Sequence, residues 1–315
     1  MINLHHLRVF YMAAKYESCT AAAQKLCVTQ PAITAQIRKL EDQCSLKLFK
    51  KRGRNIHLTD EGTALFHYAR RIFECEREVE DAIEEMRKLK RGVLRLGTTK
   101  TYARYFMPVL ISTFHETYPQ IKIHLDEGSS LDMTQSLVGL KNEVVVIAMA
   151  AENPAVTFIP LSHEKLVLIM APSHPLANKA AVSVRELAGE PIIMKEAGSG
   201  TRLKVNGLFE RYGCDLNILM ETSNAEFIKQ LVQQGEGFSF LVKEAVATEL
   251  QEKKLVSVPL MEEELYLDVS IAYLKNEHLS RPAQAFVDIL LEMAQGKEPQ
   301  RGLREIMARL FENWK

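Results

Sequence analysis

The 315-residue sequence lacks what would commit it to a membrane, a disulfide framework or a metal. Its longest apolar run, Val144 to Ala151, is only eight residues, far short of the roughly 18 that a membrane-crossing helix needs. The opening residues have no apolar core of the kind a secretory signal carries. Both observations point to a cytoplasmic chain without a membrane partner. Five cysteines, Cys19, Cys27, Cys44, Cys75 and Cys214, form no C-x-x-C pair and no zinc-site spacing, which suits reduced thiols and assigns no metal or cofactor. Net charge is also missing. Forty basic residues balance forty acidic ones, so the chain as a whole selects no acidic or basic partner.

That balance is not uniform along the chain. Between Met1 and Thr59 ten basic residues face three acidic ones, Glu17, Glu41 and Asp42. A basic module of this size followed by a slightly acidic remainder is the charge pattern of one nucleic-acid-binding domain joined to a second, neutral one.

Apolar spacing predicts a helix over 4–16 from Leu4, Leu7, Phe10 and Ala14. Thr20 is expected to cap a short Ala-rich helix over 21–26. Pro31 at a first helical position then opens a helix to about Gln43. Two helices joined by about four residues make a helix-turn-helix, here over 19–38. Short alternating segments, 46–49 and 56–58, bracket the basic turn Lys50-Lys-Arg-Gly-Arg-Asn55 and read as a β-wing. Thr59, with Asp60 and Glu61 behind it, starts a helix to about Leu89. On it Leu65, Ile72, Val79 and Met86 recur every seven residues, with Ala69 and Ile83 four further on. Such a seam implies a second helix against it, and hence a homo-oligomer; packing on the chain's own domains is the alternative.

After Gly92 strands and helices alternate: strands over 93–97, 121–126, 144–149, 166–171, 192–194, 218–221, 238–241 and 267–274, with helices over 105–117, 133–141, 201–212, 226–234 and 282–294. This is the pattern of βαβ units in parallel sheets. The domain reading is therefore 1–59 winged helix-turn-helix, 60–90 linker helix, 91–163 with 267–295 as one α/β lobe, 164–266 as a second, and 296–315 as a tail. In that tail Leu303, Ile306, Met307, Leu310, Phe311 and Trp314 share one face of a helix, which docking on the protein itself would cover.

The stretch from Leu7 to Thr63 carries Phe10, Ser18, Thr20-Ala-Ala-Ala23, Leu26, Thr29-Gln-Pro-Ala32, Thr34, Gln36-Ile37, Leu40-Glu41, Leu48-Phe49, Arg52, Leu58-Thr59 and Gly62. It resembles the helix-turn-helix of LysR-type transcriptional regulators. The rest of the chain resembles that family's effector domain, a two-lobed fold like that of periplasmic solute-binding proteins. The resemblance implies a bacterial transcriptional regulator, not an enzyme, that binds double-stranded DNA at an interrupted palindrome as a homotetramer. It also implies a small effector between the lobes, and RNA polymerase as a candidate contact.

Chemistry assigns roles within that frame. At the start of a recognition helix Gln30 offers a bidentate pair to adenine, Pro31 suits a thymine methyl and Thr34 suits either. Arg38, Lys50, Arg52 and Arg54 suit phosphates or the minor groove. Ala35 stands where the family often has a basic residue. Ligands of open α/β sheets sit beyond strand carboxyl ends, which selects Thr98, Thr99, Lys100 and Ser129 in one lobe and Ser199, Thr201, Arg202 and Asn224 in the other. Hydroxyls and glycines before a helix, with the cation Arg202, suit a small anion. An internal ion pair is the alternative for Arg202, and a solvent-facing place for Lys100. Val145 and Val242 replace residues common in the family, an acid and a proline. No G-x-S-x-G elbow accompanies Ser199, His163 or His174. A constitutive DNA-binding protein whose second domain only oligomerises is the other reading.

Overall fold

The computed structural model describes residues 2–52, 55–149 and 153–294. Its contacts divide the chain into two units, Met1–Glu85 and Met86–Lys315. The tail stripe predicted over 303–314 and the basic residue Arg54 lie outside the described residues, as does the Arg52 side chain.

In the first unit α1 (Leu4–Lys15), α2 (Cys19–Lys25) and α3 (Gln30–Cys44) precede a hairpin of β1 (Phe49–Arg52) and β2 (Asn55–Leu58), and α4 (Asp60–Arg87) follows. The caps differ from expectation. Ser18, not Thr20, opens α2 by accepting the Ala21 N–H, because its extended backbone leaves the hydroxyl over the first turn. Helix α3 begins at Gln30, one residue before Pro31, so the proline sits where no N–H is needed. Thr59 opens α4 as expected, its hydroxyl accepting from the Gly62 N–H at 2.9 Å. At Gly62 a Cβ would lie 2.1 Å from the Leu48 carbonyl oxygen, so only glycine lets α4 leave the wing at this point.

Two apolar clusters hold this unit. Val9, Ala13, Ala22, Ala23, Ile33 and Ile37 pack the three helices together, and truncating a fully buried member such as Ile33 to Ala costs about 2–5 kcal/mol. Leu7, Phe10, Leu40, Leu48 and Ala69 bring in the first half of α4, with Tyr11, Leu65, Phe66 and Phe73 around them. The seven-residue stripe therefore divides. Its amino-terminal part packs within the unit, whereas Ile72, Val79, Ile83 and Met86 are exposed.

The second unit opens with β3 (Val93–Thr99), α5 (Lys100–Tyr105), α6 (Met107–Thr117), β4 (Lys122–Gly128), α7 (Ser130–Val138), β5 (Val144–Ala148) and the 15-residue β6 (Val156–Met170). It continues through α8 (Val184–Leu187), β7 (Pro191–Lys195), α9 (Gly200–Arg211), β8 (Asn217–Thr222), α10 (Ala225–Gln233) and β9 (Ser239–Val242). A 3-10 turn (Lys243–Val246), α11 (Ala247–Gln251), β10 (Val256–Ser257), β11 (Leu265–Leu274) and α12 (Arg281–Ala294) complete it.

The main sheet runs β10-β6-β11-β5-β3-β4, with β9 also on β6. It is mixed, not parallel throughout. Strand β3 pairs parallel with β4 and β5, while β11 pairs antiparallel with β5 and β6. Strands β7 and β8 form a separate parallel pair in the second lobe. The stretch 156–165 was not expected as strand. It pairs with β11 to form a ladder that carries the chain from one lobe to the other. Phe106 interrupts the helix expected over 105–117, so the segment after β3 is a short helix, α5, instead of an open loop.

Candidate DNA-binding and effector sites

Helix α3 buries Ile33, Ile37, Leu40 and Glu41 and turns Gln30, Pro31, Ala35 and Arg38 outward. This division follows from its period: apolar residues at four- and three-residue spacing take the core face and leave the polar face outside. Gln30 Nε2 lies 3.0 Å from Thr34 Oγ1, one turn along, so the amide is oriented before any ligand arrives. Gln30, Thr34 and Arg38 line one groove of about 430 Å³ with Ser18, Thr20 and the wing residues Phe49 and Ile56. Lys50 is exposed on β1.

The wing is attached to α3 through a charge. Glu41, buried near the end of α3, accepts from the Leu48 N–H at 2.8 Å and the Phe49 N–H at 3.3 Å, and pairs with Lys47 Nζ at 3.0 Å. Burial works to raise its pKa, but these donors outweigh it and hold the carboxyl below its ordinary value.

In the second unit the two lobes meet over a cavity of about 20 Å³ lined by Thr99, Thr101, Tyr102, Ser129, Ser130, Lys195, Ser199 and Thr201, among others. These side chains come from strand ends and from the first turns of the helices that follow them. Thr99 closes β3 and accepts from the Tyr102 N–H as the cap of α5. Ser129 follows β4 and forms a capping box with Asp132 on α7. Lys195 ends β7, and Ser199 is the N-cap residue of α9, with no side-chain cap bond, so its hydroxyl is not spent on the helix. At Gly198, φ +80°, a Cβ would come within 2.9 Å of Leu131 Cβ and 3.0 Å of Ser129 Oγ in the other lobe, and the Gly198 carbonyl accepts from the Leu131 N–H at 3.2 Å. Glycine allows this close approach.

Four of the eight sequence-selected effector residues, Thr99, Ser129, Ser199 and Thr201, line this cavity. The other four take different places. Thr98 is fully buried, and its hydroxyl donates to the Val146 carbonyl at 2.6 Å, stitching β3 to β5. Lys100 Nζ reaches across the lobes to Ser223 Oγ at 2.7 Å. Arg202 Nη1 pairs with Glu221 Oε2 at 2.6 Å, the internal ion pair that its sequence context also allowed. Asn224 caps α10, accepting from the Glu226 and Phe227 N–H groups.

Sequence reasoning missed Lys195 and Tyr102; Ser130 adjoins Ser129 in the strand-end loop that it selected. Lys195 is buried, donates to the Ser223 carbonyl at 2.6 Å and lies 3.3 Å from Glu196. Burial lowers its pKa; Glu196 opposes this and the Lys100 charge adds to it. Tyr102 and Ser130 are 2% and 1% exposed, and neither hydroxyl has a hydrogen-bond partner among the described residues. Burial, with the nearby charges of Glu164, Glu244 and Asp268, pushes the Tyr102 phenol well above its ordinary range, so it stays protonated and able to donate. The signal for Lys195 was present in the sequence: it ends a buried strand, where the strand-end rule applies. For Tyr102 there was none, because an aromatic residue inside a short helix reads as packing.

No group of three or more His, Cys, Asp or Glu side chains arranged for a metal occurs among the described residues, and none of their helices is long and apolar enough to cross a membrane.

A basic winged helix-turn-helix followed in the chain by a two-lobed α/β unit with a polar interlobe cavity defines a ligand-responsive transcriptional regulator. Residues 4–63 match the model of the bacterial regulatory helix-turn-helix protein, lysR family, and residues 87–295 match that of the LysR substrate binding domain. The RuBisCO operon transcriptional regulator of Allochromatium vinosum is 32% identical over 293 residues, covering 93% of this chain and 97% of that protein. The regulatory domain of Synechocystis CcmR, solved in complex with 2-PG, is 29% identical with a TM-score of 0.61, covering 66% of this chain and 99% of that one. Full-length CbnR complexed with its target DNA has the same fold, at 21% identity and a TM-score of 0.66, over 93% of this chain and 100% of that one. The chain belongs to the LysR family of bacterial transcriptional regulators.

Proposed function

We propose that this regulator takes a small anion into the interlobe cavity and that the anion changes how the protein acts at DNA. The observation that carries this reading is the pair of buried hydroxyls, Tyr102 Oη and Ser130 Oγ, on residues that line the same cavity as Lys195 and without hydrogen-bond partners among the described residues. A buried hydroxyl left unpaired costs about 1–3 kcal/mol, so a ligand oxygen accepting from both recovers that cost. Lys195 supplies the opposite charge, and Thr99, Ser129, Ser199 and Thr201 add orienting donors. A cavity of about 20 Å³ has room for about one water, so a carboxylate or oxyanion of several heavy atoms enters a wider form and draws the lobes together around itself. That differential affinity is what couples occupancy to the rest of the molecule.

On the DNA side, Gln30, Pro31 and Thr34 read base edges in the major groove, and Arg38, Lys50, Arg52 and Arg54 contact phosphates. The exposed stripe Ile72, Val79, Ile83 and Met86 on α4 supports pairing between copies, and a paired protein reads an interrupted palindrome. A homotetramer, contact with RNA polymerase and a cytoplasmic location belong to the same reading. The relatives' role in transcription supports a regulatory protein with no catalytic residue.

A thermal-shift titration with a panel of small carboxylates and inorganic oxyanions tests the effector site. At least one anion is expected to raise the melting temperature progressively with concentration, and Lys195→Met to weaken that anion tenfold or more. An anion that binds Lys195→Met and Thr201→Val as tightly as the unchanged protein removes the cavity from consideration.

A further inference from the structure

In the first lobe α6 and α12 lie side by side, and between them runs a groove of about 750 Å³. Its floor is apolar: Leu89, Tyr118, Leu279, Ile289 and Met293 pack against the core yet remain only partly buried. Its rim along the second half of α12 carries Asp288 and Glu292, one turn apart and both exposed, with Gln284 and Arg281 nearer the start of the helix. An apolar floor of this size with an acidic edge is a surface that something of matching pattern covers.

The chain itself continues from the end of that groove. Met293 is a lining residue and α12 ends at Ala294, after which residues 295–315 follow. Residues 295–302, with Gly296, Pro299 and Gly302, have the composition of a turn. Their length lies within the 2–8 residues that usually join antiparallel helix neighbours. Residues 303–315 then place Leu303, Ile306, Met307, Leu310, Phe311 and Trp314 at helical spacing. On the same helical projection Arg304 and Lys315 flank one side of this stripe and Arg309 the other, while Glu305 and Glu312 fall opposite it. The flanks are therefore basic, and Arg304 and Arg309 lie in the half of the stripe that an antiparallel course brings to Glu292 and Asp288. A helix of this length spans about 20 Å and α12 about 21 Å, at 1.5 Å per residue, so one can lie along the other from end to end.

We infer that residues 303–314 dock as an amphipathic helix in the groove between α6 and α12 of the same chain, antiparallel to α12, with the apolar stripe on the groove floor. The inference stands independently of the effector reading. Docking there also covers Leu89, in the segment that enters the effector unit from α4, and so ties the last residues of the chain to that entry point.

Trp314 is the only tryptophan in the chain, so its fluorescence reports the docking directly in the full-length protein. Docked, it emits to the blue of free tryptophan and resists acrylamide quenching several-fold. Ile289→Glu in the floor and Thr117→Arg at the exposed edge of α6 are each expected to shift the emission red and restore quenching. Thr117→Arg keeps the core intact, so its effect cannot come from misfolding, and near-unchanged melting of the α/β unit confirms this. Red, freely quenched emission from the unchanged protein overturns the inference. So does blue emission insensitive to both variants, which places the tail elsewhere. A blue shift that vanishes on dilution assigns the groove to another copy's tail, and one that appears only with anionic vesicles assigns the stripe to a lipid surface; either outcome overturns docking within the chain.

Discussion

Tyr105 Oη lies 2.5 Å from Glu226 Oε1, joining α5 in one lobe to α10 in the other. Lys229 supports the bond from below. Its ammonium reaches Tyr105 Oη at 3.2 Å, Glu226 at 2.9 Å, Glu249 at 2.8 Å and the Ala245 carbonyl at 3.0 Å, with a side chain only 5% exposed. Both helices start near the cavity: α5 follows Thr99, which lines it, and α10 follows Ser223 and Asn224, the Ser223 carbonyl accepting from Lys195. Tyr105→Phe removes one hydrogen bond and leaves Glu226 with Lys229 and Arg104; it is expected to cost about 1 kcal/mol. Lys229→Met leaves Glu249 without its cation and Glu226 with only Tyr105 and Arg104, and is expected to cost about 3–5 kcal/mol. Chemical denaturation followed in the effector unit checks both; equal losses would mean that Tyr105, not Lys229, organises the clasp.

The effector site has its own pH signature. Because burial lowers the pKa of Lys195, its charge is lost at a lower pH than that of an ordinary lysine. Anion affinity should therefore be full on the acid side and fall as pH rises through that lowered value. Isothermal titration across neutral to alkaline pH is expected to show this decline, and Lys195→Met to abolish it while binding weakly throughout. A decline that persists unchanged in Lys195→Met assigns the titration to another group.

Glu41 makes acid sensitivity a property of the DNA-binding unit. Its folded pKa lies below the ordinary 4.5, so its contribution is present above that value and is lost as pH falls through the depressed folded one. Glu41→Gln should destabilise this unit by about 1.5–3 kcal/mol at neutral pH, the range for hydrogen bonds to a charged group. It should also flatten the acid limb of the unit's stability profile, as measured by circular dichroism melts between neutral pH and the carboxylate range. An identical acid limb in the variant would show that Glu41 is not the group that titrates.

At DNA the two kinds of α3 residue should separate. Gln30→Ala is expected to weaken binding to the cognate site by about 1–3 kcal/mol and to leave binding to unrelated duplex nearly unchanged. Arg38→Ala should weaken both and reduce the slope of affinity against salt by about one. Fluorescence anisotropy at several ionic strengths reads both; parallel losses on cognate and unrelated DNA from Gln30→Ala would assign it to the backbone.

The local elements were legible where one physical signal dominated. Helix α3 is marked by Pro31 and by the apolar spacing Ile33, Ile37 and Leu40, and β5 by its uninterrupted apolar run. The sheet's mixed topology was not legible, because Val156 to Lys165 contains Pro160, Ser162, His163, Glu164 and Lys165, and reads as a polar turn. Those polar groups are tolerated in a strand because they find partners at the crossing: Ser162 Oγ donates to Glu164 at 2.7 Å, and His163 Nδ1 lies 2.7 Å from Asp268. The effector residues divided for a related reason. A strand-end rule finds the right loops but cannot say which way a side chain turns, and Arg202, Lys100 and Asn224 each found a nearer partner within the fold than the cavity.

The ladder between β6 and β11 contains one irregularity: Val269 stands opposite Ser162, but Ser270 stands opposite Pro160, so Leu161 has no counterpart. Leu161 and Ser162 are consecutive and both buried, at 6% and 4% exposure, which a strand of regular alternation does not allow. The extra residue shifts the reading frame of the strand by one. Upstream of it one set of alternate residues faces inward, and downstream the other set does. Leu161 at the irregularity and Leu166, Leu168 and Met170 after it thus face one continuous core, while the other face gives Val156 to one smaller cluster and Val167 and Ile169 to another. Substituting Leu161 by another apolar residue leaves that frame intact, whereas deleting it would turn every side chain of one lobe's share of β6 inside out.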